Sequence, residues 1–151
     1  MELFEATTFD LKELALLFDQ YRQFYKQTTD IAACLDFLTE RLQKQDAVIY
    51  IAKNETAIIG FVQLYPLFSS VQLKRMWLLN DLFVIESARR SGVARLLIER
   101  SKQLAIETNA SCILLETGKN NKEGNALYPS AGFEIATTNF YYWKNLTDRT
   151  A

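Results

Sequence analysis

The sequence contains no histidine and only two cysteines in 151 residues. Without histidine the chain lacks the Ser-His-Asp and Cys-His catalytic groups, the H-E-x-x-H zinc helix and any imidazole acid or base. Cys34 and Cys112 lie far apart in apolar surroundings. We therefore expect two buried thiols, with neither a metal site nor a redox pair. Proton chemistry in this protein must use carboxylates, tyrosine, lysine or cysteine.

Proline and glycine are also scarce, with two and five residues, and no segment has the composition of a linker. We therefore expect residues 1–151 to form a single domain. Seventeen basic and eighteen acidic side chains give a net charge of −1, which argues against nucleic acid as a partner. The apolar runs are too short for a membrane span, and the N-terminus lacks the basic region of a signal peptide. We expect a cytoplasmic protein without a membrane partner.

Hydrophobic periodicity predicts an alternation of helices and strands along the whole chain. Helices are predicted at about 10–25, 30–45, 93–108 and 123–127, and strands at 47–52, 57–62, 76–85, 112–116, 133–135 and 140–143. The strand pattern is predicted to break at Pro66. The order predicts an α/β or α+β fold, with a mixed sheet and helices on both faces.

The segment between the strand at 76–85 and the following helix is a candidate anion site. It carries Arg89, Arg90 and Gly92 directly before the helix. Amides at a helix start attract anions, and glycine lets a phosphate approach the backbone. The G-x-G-x-x-G and G-x-x-x-x-G-K-[ST] motifs are missing, which disfavours dinucleotide and Walker-type sites. A helix start with solvated arginines is the alternative interpretation.

Two motifs resemble the GNAT N-acetyltransferase family. Arg89-Arg90-Ser91-Gly92-Val93-Ala94 is similar to the Q/R-x-x-G-x-G/A loop that holds the CoA pyrophosphate, and residues 121–133 are similar to the N-x-x-A-x-x-L-Y-x-x-x-G-F segment. The resemblance implies a mostly antiparallel sheet of six to seven strands, acetyl-CoA as cosubstrate and no metal. It also implies a set of cofactor-binding residues, namely Leu82, Phe83, Val84, Arg89, Arg90, Ser91, Gly92, Val93, Ala94, Arg95 and Asn121.

The resemblance implies direct attack of an amine on the thioester, with Tyr128 protonating the departing thiolate. A phenol has a suitable pKa for that role. Pro129 departs from the family pattern and restricts the residue before it, which predicts a displaced Tyr128. A tyrosine that only fills the core is the alternative interpretation.

Residues 79–84, Leu-Asn-Asp-Leu-Phe-Val, resemble the L-E-D-F-F-V strand of spermidine/spermine and thialysine N-acetyltransferases. In those enzymes the first acidic residue of the strand handles the amine proton. In this sequence Asn80 occupies that position, and an amide cannot act as a base. The role then passes to Asp81, to Glu116 or to a chain of waters. Alternatively, Asp81 is a structural carboxylate that accepts hydrogen bonds from backbone amides.

Acceptor residues in the family come from the first two helices, their connection and the strand near Trp77. Here they correspond to Tyr21, Phe24, Tyr25, Asp30 and Trp77, with Asn80 added as a substrate contact. Aromatic rings with a carboxylate suit a cationic amine. We therefore expect an N-acetyltransferase for a small primary amine such as a polyamine, diamine or amino acid. The alternatives are a catalytically idle acyl-CoA-binding module and acetylation of a protein or peptide amine.

Four consecutive aromatic residues, Phe140 to Trp143, exceed what one buried strand face can absorb. Some of these rings must face outward, and outward aromatic rings are typical of interfaces. The sequence therefore predicts a homodimer.

Overall fold

The computed structural model describes residues 1–145, which form four α-helices and five β-strands. The helices are α1 (Leu11–Phe24), α2 (Ile31–Lys44), α3 (Val93–Glu107) and α4 (Lys122–Ser130). The strands are β1 (Glu2–Glu5), β2 (Val48–Lys53), β3 (Ile58–Ser69), β4 (Lys74–Val84) and β5 (Ile113–Leu114). Single 3₁₀ turns precede α1 and follow β4. All four predicted helices are present.

The strands form one sheet in the order β1-β2-β3-β4-β5. The first four strands pair antiparallel, and β5 runs parallel to β4. Helix α3 supplies the crossover that a parallel connection requires. The predicted mixed, mostly antiparallel sheet is confirmed, with five strands in residues 1–145 instead of six to seven. Strand β1, which pairs with β2, was not predicted.

Helices cover both faces of the sheet, as predicted. Helices α1 and α2 cover one face, in a core whose buried members include Leu14, Leu38, Ile51 and Phe61. Helix α3 covers the other face, in a core that includes Val62, Trp77, Leu97 and Ile98. Successive residues of β3 therefore belong to opposite cores, as the twofold periodicity of a strand requires.

Strand β3 is longer than predicted because Pro66 lies within it. Pro66 pairs with Trp77 of β4. On the other side, the pairing with β2 ends at Leu64, opposite Val48. In the described part of the chain, β3 thus has a free edge from Tyr65 onward. Proline is tolerated on such an edge, where its missing N–H breaks no ladder bond.

The two predicted C-terminal strands are wrong. Residues 133–135 and 140–143 pair with no strand in the described chain. Strand β5 is also shorter than predicted, since only Ile113 and Leu114 pair with β4. Cys112, just before β5, is exposed and not buried as expected, whereas Cys34 is buried. Residues with a high strand propensity form a strand only where an adjacent strand can pair with them.

Gly60 allows α3 to approach the sheet closely. A Cβ atom at this position would lie 3.0 Å from the carbonyl oxygen of Phe83 and 3.1 Å from Cγ1 of Val93. Val93 is the first residue of α3 and is buried. This packing holds the start of α3 beside the end of β4.

The connection between α1 and α2 is organised by one buried carboxylate. Asp19 of α1 is 3% exposed and accepts hydrogen bonds from Thr29 Oγ1 (2.6 Å), the amide of Asp30 (2.8 Å) and Gln23 Nε2 (2.8 Å). The bonds from Thr29 and Asp30 hold the pKa of Asp19 below its ordinary value despite burial. Asp30 in turn caps α2 by accepting a bond from the amide of Ala33 (3.0 Å). Asp19 therefore fixes both the loop and the start of α2.

We predict that Asp19→Asn lowers the free energy of unfolding by about 1–3 kcal/mol at pH 7, because buried donors lose their acceptor. Since folding lowers the pKa of Asp19, its stabilisation is complete above the unfolded pKa of about 4 and is lost as the pH falls further. Urea unfolding at pH 7 and at pH 3 should therefore show a smaller difference between wild type and variant at the lower pH. The exposed Asp36 on α2 provides the control Asp36→Asn, and an equal loss in both variants would contradict this role.

Candidate active site

The candidate site is built around the separation of β4 from β5. The two strands pair only at Trp77 and Leu78. Further along β4, residues 82–84 pair with β3 on one edge and with no strand of the described chain on the other. Such an edge presents free main-chain N–H and C=O groups. The gap therefore lies beside the residues that the resemblance implied for the cofactor arm.

The start of α3 adjoins this edge and has the properties of an anion site. Gly92 has a φ of 85°, in the left-handed region, and no side chain caps the helix. The first amides of α3, beginning with Val93, have no acceptor within the helix. Apart from Gly92 itself and its two chain neighbours, no described residue has an atom within 4 Å of the position of a Cβ on Gly92. Open space in front of uncapped amides fits a pyrophosphate group.

The loop side chains differ in their contacts. Arg89 Nε donates a hydrogen bond to the carbonyl oxygen of Val84 (3.1 Å), so this side chain braces the loop against β4. Ser91 Oγ donates to the carbonyl oxygen of Ala88 and closes the turn before the helix. Arg90 is exposed, with a φ of 62°. Arg89 and Ser91 therefore stabilise the conformation of the loop.

Helix α4 carries Tyr128, which packs against the core beneath α3. Pro129 lies inside the last turn of α4 and does not end the helix, so Tyr128 has a helical position. The Tyr128 ring is half-buried and lies 5.9 Å from the ring centroid of Phe133. Burial, followed by the neighbouring Tyr25 phenol, raises the pKa of Tyr128. The hydroxyl is therefore protonated at neutral pH, as a proton donor must be.

Two further predicted cofactor residues make structural contacts around α4. Arg95 donates hydrogen bonds to the carbonyl oxygen and Oγ of Ser130 (3.2 and 2.6 Å), which joins α3 to the end of α4. Asn121 caps α4, because its Oδ1 accepts a bond from the amide of Gly124 (3.1 Å) while Nδ2 donates to Thr117 Oγ1 (2.9 Å). Both side chains thus stabilise the helix that carries Tyr128.

Asp81 belongs to a buried polar pair inside the sheet. It is 6% exposed and lies opposite the fully buried Gln63 of β3. Gln63 Nε2 donates to Oδ2 of Asp81 (2.7 Å), and Asn80 Nδ2 donates to both carboxylate oxygens (3.0 and 3.1 Å). In residues 1–145, neither a backbone amide nor a basic side chain bonds to this carboxylate. The alternative of a carboxylate bonded by backbone amides therefore has no support in the described chain.

Tyr21 of α1 and Tyr25, the residue that ends this helix, connect Asp81 with Tyr128. Burial, followed by the charge of Asp81, raises the pKa of Tyr21. The ring of Tyr21 lies 5.2 Å from that of Tyr25, and Tyr25 in turn lies near Tyr128. Tyr25 is 55% exposed. The predicted acceptor residues Tyr25 and Asn80 are therefore brought together with Asp81 and Tyr128.

Other predicted acceptor residues lie elsewhere or have structural roles. Trp77 is 3% exposed in the core beneath α3, and its Nε1 donates to Thr108 Oγ1 (2.9 Å). This face is opposite to the one that carries Asp81. Asp30 is exposed and is the N-cap of α2. Glu116, the other candidate base, is exposed just after β5.

Gln63 is the site residue that the sequence analysis missed. It stands between Val62 and Leu64, and the other residues of β3 from Ile58 to Leu64 are apolar. A polar residue in the middle of a buried strand needs a hydrogen-bond partner. The sequence therefore indicates that Gln63 needs a partner, but the identity of this partner depends on the register between β3 and β4.

The comparisons with known proteins agree with this geometry. The sequence matches the Acetyltransferase (GNAT) family over residues 11–133. It is 40% identical to the uncharacterized N-acetyltransferase YhfO of Bacillus subtilis (strain 168), over 97% of this chain and 98% of that protein. A crystal structure of a probable acetyltransferase superposes with a TM-score of 0.92 at 39% identity, covering 98% of this chain and 99% of the other.

A more distant structure shares the fold. AAC(6')-Iy in complex with the bisubstrate analog CoA-S-monomethyl-acetylneamine superposes with a TM-score of 0.80 at 21% identity, over 95% of this chain and 97% of that one. The chain belongs to the GNAT acetyltransferase family. It is an N-acetyltransferase, of a family that uses acetyl-CoA.

No helix within residues 1–145 combines the length and the apolar character needed to cross a bilayer. In the same residues, no three Cys, Asp or Glu side chains converge as ligands for a metal ion.

We predict that Gly92→Glu abolishes acetyl-CoA binding, because a negative side chain would enter the open space before α3. Gly92→Asn is the matched control, since asparagine tolerates the left-handed conformation and adds no charge. Isothermal titration calorimetry with acetyl-CoA should detect binding to the control and to wild type, with circular dichroism as a check of folding. Wild-type affinity in Gly92→Glu would show that the loop assignment is incorrect.

Proposed function

We propose that the protein transfers the acetyl group of acetyl-CoA directly to a primary amine of a small cationic molecule. One observation carries the proposal: the buried carboxylate of Asp81 has no basic partner in residues 1–145, and aromatic residues connect it to Tyr128. A buried carboxylate without a counter-charge favours binding of a cation. Aromatic faces add cation–π attraction.

The cofactor half of the proposal depends on β4 and α3. The free edge of residues 82–84 suits the amide-rich pantetheine arm, and the uncapped amides at Gly92 suit the pyrophosphate. Acetyl-CoA, when bound, supplies an activated thioester, so the chain itself needs no nucleophile. The absence of histidine from the sequence is compatible with such a direct transfer.

The acid and base roles are assigned to two residues. Tyr128, whose raised pKa keeps it protonated, gives its proton to the thiolate that leaves. Asp81 attracts the ammonium group and receives its proton, directly or through water, so that the amine has a free electron pair. Asn80 orients the carboxylate through its two hydrogen bonds.

The acceptor class is inferred from charge and size. A polyamine, diamine or amino acid presents the primary ammonium group that Asp81 and Tyr25 suit, as in the spermidine/spermine-like branch. The bisubstrate analog in the AAC(6')-Iy complex joins CoA to an amine-bearing small molecule, which supports an acceptor of this kind in the shared fold. We further propose that the protein is cytoplasmic and acts as a homodimer.

The test is release of free CoA thiol from acetyl-CoA, measured with polyamines, diamines, amino acids and a basic peptide. We expect turnover with at least one class of small amine and none with the peptide. Turnover with the peptide alone would favour acetylation of proteins. Binding of acetyl-CoA without turnover on any acceptor would favour the idle acyl-CoA-binding module.

We predict that Tyr128→Phe lowers kcat by about 100-fold, the usual contribution of a general acid, and leaves the Kd for acetyl-CoA unchanged. Steady-state kinetics and calorimetry measure the two quantities. Tyr142→Phe removes a hydroxyl from an exposed tyrosine outside the site and should retain full activity. Equal rates in Tyr128→Phe and wild type would rule out the proton-donor role.

We predict that Asp81→Asn lowers kcat/KM for the amine by about 100-fold or more, because the acceptor loses its counter-charge and its base. The replacement is nearly isosteric, so acetyl-CoA binding should persist. The exposed Asp36→Asn variant on α2 controls for the loss of one negative charge. If both variants retained wild-type kinetics, Asp81 would have no part in handling the acceptor.

A further inference from the structure

The polar pair of Gln63 and Asp81 leaves one buried hydrogen-bond acceptor unused. Gln63 is fully buried in β3, and its Nε2 donates to Oδ2 of Asp81 (2.7 Å). The other end of the amide, Oε1, is also buried, and no group in residues 1–145 donates a hydrogen bond to it. A buried carbonyl oxygen without a donor has lost its hydration without compensation. Oε1 therefore suits a donor that the described fold does not itself supply.

Tyr65 brings a phenol oxygen to the same place. Residues 63 and 65 of β3 project from the same face of the sheet, as alternation along a strand requires. Tyr65 is half-buried, and burial, followed by the charge of Asp81, raises its pKa to about 12. The neighbouring Gln63 amide opposes part of that rise. The Tyr65 hydroxyl therefore lies beside both members of the buried pair.

Tyr21 adds a second phenol from helix α1. Its hydroxyl interacts with the Asp81 carboxylate, whose charge follows burial among the causes of the raised pKa of Tyr21. Side chains of α1, β3 and β4 thus bring oxygen atoms together at one point of the sheet. We call Tyr21, Gln63, Tyr65 and Asp81 the oxygen cluster.

The oxygen cluster carries a negative charge that lacks a basic partner in the described chain. None of the ion pairs found there includes Asp81. The charge of Arg41 acts on Tyr65, but this guanidinium already pairs with Asp46 (2.7 Å) and Glu40 (3.3 Å). Oxygen atoms around an unpaired carboxylate favour a ligand that is positively charged and donates several hydrogen bonds.

We propose that Gln63 and Tyr65 select the amine acceptor, because their oxygen atoms accept two N–H groups of a primary ammonium whose third N–H bonds to Asp81. The inference rests on the proposed function, since it concerns the acceptor of that reaction. A primary ammonium has three N–H donors, whereas a tertiary ammonium of equal charge has one. A ligand with fewer donors leaves Oε1 of Gln63 buried and unsatisfied. The cluster therefore selects by the number of N–H groups as well as by charge.

Binding of two matched diamines tests the selection without any transfer reaction. Putrescine has two primary ammonium groups, and tetramethylputrescine has the same chain and charge with one N–H on each nitrogen. Isothermal titration calorimetry with CoA present, which supplies no acetyl group, compares their affinities. We expect wild type to bind putrescine at least about 10-fold more tightly, the usual effect of leaving one buried acceptor unsatisfied.

Two variants assign the selection to the residues named. Tyr65→Phe removes one oxygen atom, and Gln63→Met replaces the amide by an apolar side chain of similar length. We expect each to weaken putrescine binding by about 10-fold, with little change for tetramethylputrescine or acetyl-CoA. Tyr50→Phe is the matched control, because Tyr50 is buried in the core beneath α3, on the opposite face of the sheet. Circular dichroism checks folding, and Tyr65→Phe decides the matter if Gln63→Met does not fold.

Equal affinity of wild type for the two diamines, or no binding of either, would overturn the inference. Unchanged selectivity in Tyr65→Phe would overturn it too. A merely structural role of Tyr65 would weaken both diamines, or acetyl-CoA, to the same extent.

Kinetics separate this inference from the proposed function. With a small amine that wild type acetylates, Tyr65→Phe should raise KM for the amine and leave kcat nearly unchanged, because the lost contact exists before the transition state. An unchanged KM would contradict the selection by Tyr65 alone. Selective binding of putrescine by a wild type that releases no CoA thiol with any small amine would contradict the transfer reaction and leave the ammonium site in place.

Discussion

The separation of β4 from β5 is the constraint on which the candidate site depends. Two residues of β4, Trp77 and Leu78, pair with β5 before the strands part. Beyond them, the pairing of β4 with β3 holds one edge rigid and leaves the other without a partner in the described chain. The loop at Gly92 leads into α3, and Arg95 of α3 donates hydrogen bonds to Ser130 at the end of the helix that carries Tyr128. A ladder continued along β4 would occupy the main-chain groups and close the gap.

Different residues stabilise the candidate site from the two faces of the sheet. On the α3 side, Gly60 permits the close approach of Val93, and Arg95 ties α3 to the end of α4. On the side of α1 and α2, Asp19 holds the interhelical loop, and Gln63 holds Asp81 within the sheet. Buried polar pairs of this kind specify geometry, because a misplaced partner would leave a donor or acceptor unsatisfied. Donors from Gln63 and Asn80 thereby hold the Asp81 carboxylate in place.

Much of this architecture follows from local patterns. The four helices were predicted because a 3.6-residue periodicity and capping residues such as Asp30 act within a few neighbouring positions. The glycine at the start of α3 follows from the same kind of signal, since a left-handed residue before a helix favours glycine. The two short motifs that matched the family lie on these local elements, so the family membership was also predictable.

The remaining features of the fold and the site depend on contacts between residues that are far apart in the sequence. The partner of Gln63 depends on the register of β3 against β4, and the face on which Trp77 lies depends on the packing of α3. Pro66 is compatible with a strand only because β2 ends before reaching it. The segment from Phe140 to Trp143 has the composition of a strand and no pairing in the described fold. A strand, unlike a helix, takes its hydrogen bonds from another segment of chain, so its formation depends on the tertiary structure around it.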